Sequence, residues 1–168
     1  MFTPEQLANL QHHLLEFTQQ ALTEFLLAHP QETFSAFGYD CNVEYGEVVL
    51  CLNTQQGLVQ ALAHYQKHYP EYPELQTNLP YSFGDWLYQG FAVTTLVAEA
   101  ELNTISAHLD FNNPTEYAKW EATLAQLMQV CRAALHDLQT TEVYLNMPKE
   151  PDFITLCLDH NESINYAA

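Results

Sequence analysis

His64 and His68 stand four residues apart in a stretch where Leu58, Leu62 and Tyr65 recur at helical spacing. Imidazoles at i and i+4 project from one face of a helix, so both can reach one metal ion. Tyr65 follows His64, and the glutamate that zinc proteases use as a base is therefore missing. Glu71 and Glu74 are the acids placed to approach as a third ligand. Without one, two histidines near a helix C-terminus are simply favoured there by its partial negative charge.

Other chemistry has less support. His12, His13, His29, His108, His136 and His160 each lie near an acid or a helix end, with no adjoining nucleophile signature. A Gly-x-Ser-x-Gly elbow is missing, which leaves a serine hydrolase without support. With 5 glycines in 168 residues there is no phosphate-cradling loop. Cys41, Cys51, Cys131 and Cys157 show no Cys-x-x-Cys spacing and sit among apolar neighbours, the pattern of buried free thiols in a reducing compartment. A Cys41–Cys51 bridge across a hairpin is the alternative for that pair, and a cysteine–histidine pair that meets only in space stays open.

Charge is the dominant feature. The chain carries 21 Asp plus Glu against 4 Lys plus Arg, a formal net charge of −17. Lys67, Lys119, Arg132 and Lys149 are scattered, so no basic patch exists for a phosphate backbone or an anionic membrane. Even with all four cations paired, 17 acids would lack a basic partner. Such self-repulsion costs stability, yet it aids solubility and steers positively charged partners. Asp40, Glu44 and Glu47 surround a turn signal at Gly46, and no acidic stretch has the alternating register of a calcium loop. A second group of acids lies among aromatics: Glu71, Tyr72, Glu74, Tyr81, Asp85 and Trp86. Tyr and Trp are enriched at binding hot spots, although the same aromatics can equally form a loop packed over the core.

These residues need elements to hold them. Thr3-Pro4-Glu5-Gln6 carries a capping box, and Leu7, Leu10, Leu14, Phe17, Ala21 and Phe25 then mark one helix face up to His29-Pro30. Thr33–Tyr39 and Glu47–Leu52 read as the strands of a hairpin, the second an interior strand apolar on both faces. Asn53 or Thr54 caps a helix running to about Tyr69. Residues 70–90 lack periodicity, although Ser82–Asp85 suits a short helical turn. Phe91–Leu109 has helical spacing, with Val93, Thr94 and Thr95 as poor helix formers at its start. Asn113-Pro114 opens a second long helix through Leu138. Val143–Leu145 is a weak strand signal, Phe153–Leu158 a stronger one, and a polar tail follows from Asp159 to Ala168. Residues 1–168 thus predict one α+β domain, with helices packed on a small, mainly antiparallel sheet. No apolar run is long enough to span a bilayer, and the N-terminus reads as a helix, not a signal peptide.

The segment Glu32–Tyr39, the apolar strand after it, Asn53-Thr54-Gln55-Gln56-Gly57-Leu58 and Asp85-Trp86 resemble a family of small bacterial cytoplasmic proteins. Its domain carries only an unknown-function label. The similarity covers about residues 1–90; beyond that only element order agrees, and Ser35 stands where the family strand more often has tyrosine. Members of such families are often encoded beside polymorphic toxins, and some are thought to act as immunity proteins. The resemblance implies a non-catalytic cytoplasmic inhibitor without a cofactor, and it supplies no site.

The expectation is an acidic immunity or antitoxin-like module that occludes a toxin with a basic surface. Its expected contacts are Asp40, Glu44, Glu47, Glu71, Tyr72, Glu74, Tyr81, Asp85 and Trp86. Two alternatives share the sequence: a metal-dependent enzyme or regulator built on His64 and His68, and an acidic mimic of nucleic acid.

Overall fold

Thr3 starts the first helix as expected: its hydroxyl accepts from Gln6 N (3.2 Å) while Gln6 Oε1 accepts from Thr3 N (2.8 Å). The computed structural model describes residues 2–160. Helix α1 spans Pro4–Ala28 and buries Leu14, Thr18 and Leu22, spaced by four along one face. Chain order then gives β1 (Phe34–Asn42), β2 (Glu47–Thr54), α2 (Gln55–His68), α3 (Pro73–Asn78), β3 (Tyr88–Thr95), α4 (Glu99–Ser106), α5 (Pro114–Leu138), α6 (Glu142–Asn146) and β4 (Lys149–Asp159). Two 3-10 turns, Leu79–Tyr81 and Phe83–Asp85, lie between α3 and β3.

The strands form one sheet in the order β3-β2-β1-β4. Pairs β1–β2 and β2–β3 are antiparallel, whereas β1–β4 is parallel. The sheet is therefore mixed, and β2 is interior as its two apolar faces require. Helices α1 and α5 pack on one face. There Phe34, Phe37, Tyr39 and Cys41 of β1, with Val48, Leu50 and Leu52 of β2, meet Leu14, Leu22, Leu127, Cys131 and Leu138. The opposite face holds a smaller apolar cluster: Ala36, Cys51, Phe83 and Trp86, flanked by Val49, Ile154, Leu156 and Leu158. The architecture is α+β.

Two expectations fail. Phe91–Leu109 is not one helix: its start belongs to β3, and only Glu99–Ser106 is helical. Val93 and Thr94 are β-branched, and pairing with Val49 and Val48 of β2 satisfies their backbone where a helix would leave that edge open. Val143–Leu145 is not a strand but the middle of α6. The place beside β1 is taken by β4, and Tyr144 instead buries its ring while its hydroxyl meets Thr155 Oγ1 at 2.6 Å. Asp159 and His160 of the polar tail are described, and 161–168 lie outside the described residues.

Candidate partner-binding face

The sheet face away from α1 and α5 is where several of the expected contact residues converge. Along β1, Ala36 and Gly38 are bare of bulk on this side, and Phe83 drops onto the gap. A Cβ at Gly38 would lie 2.4 Å from Phe83 Cε1. Trp86 meets the Phe83 ring edge-on at 4.7 Å between centroids and donates its indole N–H to Pro80 O at 3.2 Å. Trp86 is only 1 % exposed. It anchors this segment to the sheet and is not available as a surface anchor; of the two readings of these aromatics, core packing holds for Trp86.

Asp85 organises the same segment. Its carboxylate accepts from Ser82 Oγ at 2.6 Å and from Tyr65 OH at 3.0 Å, so the loop is tied to α2. Burial, and then the Asp85 bond, raise the Tyr65 pKa. Tyr81 and Asp40 share a depression of about 180 Å³ with Ser82, Phe83, Leu158 and His160. Asp40 also pairs with His160 Nδ1 at 3.0 Å. Asp40, Tyr81 and Asp85 are thus brought onto one face by β1 and one short loop.

Glu44 and Glu47 are exposed on the β1–β2 turn, a few residues beyond Asp40. Gly46 makes that turn possible: its φ is +73°, and Val97 O approaches so closely that any side chain would collide. Leu96 N donates to Gly46 O at 2.7 Å, which fixes the turn backbone that carries the two carboxylates. Glu71, Tyr72 and Glu74 are also exposed, on the α2–α3 connection and the first turn of α3. They join the rest of the face through the packing of α3 on the Leu79–Tyr81 turn and on α2.

Lys149 lies at the opposite end of β4 from Asp40. Its ammonium turns inward, donating to Tyr144 O and lying 4.4 Å from the Tyr144 ring centroid, and burial lowers its pKa.

His64 and His68 do face each other, with ring centroids 4.6 Å apart. Among the described residues, no group of three or more His, Cys, Asp or Glu side chains is arranged to hold a metal ion. The cysteines are free. Cys41 and Cys51 lie on opposite faces of the sheet, which excludes the bridge across the hairpin. Cys41 instead approaches Cys157, Sγ to Sγ 3.7 Å.

Sequence reading alone misses Ser82, Phe83, His160 and the outer side chains of β4 as parts of this face. The alternation of Ile154, Leu156 and Leu158 was the available signal, but it gains meaning only once β4 is known to lie beside β1.

Residues 14–167 match the family described as a domain of unknown function, DUF4303. The chain belongs to that family. No curated protein and no solved structure matches this DUF4303 chain significantly. Among its described residues no helix is long and apolar enough to cross a membrane.

Proposed function

We propose that this DUF4303 domain is a non-catalytic, acidic protein-binding module of the immunity or antitoxin kind. It acts in the cytoplasm and occludes a toxin whose active cleft is basic. The observation that carries the reading is the rigid display of Asp40, Glu44 and Glu47 at one end of the hairpin, in a chain of net charge −17. A docked turn loses little backbone entropy on binding, and negative potential accelerates encounter with a cationic surface. Tyr81 and Asp85 extend the patch beside Asp40.

The test is functional. The chain is co-expressed with a toxin domain encoded next to its own gene, and survival and complex formation are measured. The reading predicts survival with a stoichiometric complex. It also predicts that Asp40→Lys, Glu44→Lys and Glu47→Lys together abolish both, since breaking desolvated charge pairs costs about 2–5 kcal/mol each. Protection that needs only catalytic amounts of the chain would contradict it.

A further inference from the structure

Strand β4 is an edge strand of 11 residues, and among the described residues only β1 pairs with it. Its outer edge is a row of backbone N–H and C=O groups against which no strand lies among the described residues. Such edges are normally blunted by charge, proline or bulges. Here Pro151 and a register shift between Lys149 and Ile154 break up the start of the strand, whereas Ile154–Leu158, paired regularly with β1, contains no charge, proline or glycine.

The side chains beside this edge have a distinct pattern. Ile154, Leu156 and Leu158 are partly exposed and pack against the Phe83–Trp86 cluster. Two depressions open along them. One, about 340 Å³, lies on the inner side of β4, between Ile154 and Asp152 and the residues Ala36, Asn53, Leu58 and Tyr81. The other, about 180 Å³, is lined by Leu158, Asp40, Asp159 and Tyr81. Tyr81 lines both, and each holds at least one aspartate. Asp152 and Asp159 bracket the regularly paired stretch Ile154–Leu158.

We infer that the β4 edge receives an extended, positively charged segment of the protein partner, added to the sheet as a fifth strand. The inference rests on the basic-partner reading above and names how that partner docks. Main-chain bonds to β4 supply affinity, and the partly exposed flanks of Ile154, Leu156 and Leu158 meet alternate side chains. Cationic residues near both ends of the segment face the acids that bracket the apolar stretch, Asp152 and Asp159, with apolar residues between them over Ile154, Leu156 and Leu158.

Charge decides against a second copy of this chain as the occupant. Each copy carries −17.

The probe is a synthetic peptide of about ten residues, close to the length of β4, with lysines at both ends and alternating valine and threonine between. A glutamate-ended version and two versions N-methylated on odd or on even residues complete the set. Binding is followed by calorimetry at low salt and by hydrogen exchange. The lysine peptide is expected to bind and protect amides of β4. Methylation along one edge should weaken it at least tenfold, roughly the loss of one or two net hydrogen bonds, while methylation along the other leaves it unchanged. Equal binding of the two methylated forms, with protection on residues 43–47, overturns the edge site and leaves the basic-partner reading standing. Preference for the glutamate peptide overturns both, and absence of any binding overturns the edge site.

Discussion

Phe83 occupies the space that a side chain at Gly38 would fill. A Cβ there would lie 2.4 Å from Phe83 Cε1 and 2.7 Å from Cζ, with Leu156 O at 3.0 Å on the other side. The contact joins the central strand to the loop that presents Tyr81 and Asp85.

Gly38→Ala should therefore expel the Phe83 ring. Overpacking of this kind costs about 1–3 kcal/mol. In a Trp120→Phe background the emission of Trp86 should move to longer wavelength as its cover opens. An unshifted spectrum with unchanged stability would show that the loop is not held by this contact.

Thr18 and Tyr39 tie α1 to β1 through a fully buried bond, Oγ1 to OH 2.7 Å. Thr18 also donates to Leu14 O at 2.8 Å, so Tyr39 is the donor of the pair. Thr18→Val leaves that hydroxyl without an acceptor and should cost about 1–3 kcal/mol in urea unfolding, against about 1 kcal/mol for Tyr39→Phe. The double variant should lose less than the two single losses combined. Additive losses would mean that the hydroxyls do not act as a pair.

Alkaline pH should destabilise the domain. Burial pushes the Cys51 thiol from 9.0 up to about 11, and burial followed by the Glu32 hydrogen bond pushes Tyr88 from 10.0 up to about 12. Burial raises Tyr39 too, while hydrogen bonding to Cys131 and Cys157, then burial, raises Cys41. Below pH 9 both the folded and unfolded chains hold these protons, and the stabilising contribution is complete. Above it the unfolded chain releases them first, so stability falls as pH rises through about 12. The urea midpoint should drop steadily above pH 9, and less steeply in Tyr39→Phe. A midpoint independent of pH between 8 and 11 would contradict this.

Local signals made the ends of elements readable. The Thr3–Gln6 box, the Thr54 cap on Gly57 N (3.0 Å) and the Asn113 cap on Thr115 N (3.0 Å) are all chemistry between near neighbours. The failures need distant partners. Phe91–Thr95 becomes a strand because β2 offers a free edge, and nothing within the segment records that. The site divides in the same way. The Gly46 turn, with Glu44 and Glu47, is local and legible. The burial of Trp86 is not, because it depends on Ala36, Gly38 and Cys51 leaving a hollow on strands far away in sequence. His160 meets Asp40 only through parallel β1–β4 pairing, a register that spacing along the chain cannot announce.

In the proposed function negative potential drives recognition, and it is measured by association kinetics with the toxin domain proposed as the partner. The association rate should fall steeply between about 50 and 500 mM salt, as steering between opposite charges requires. Combined Glu44→Lys and Glu47→Lys substitution should slow association and flatten that dependence. A rate indifferent to both salt and charge reversal would contradict it.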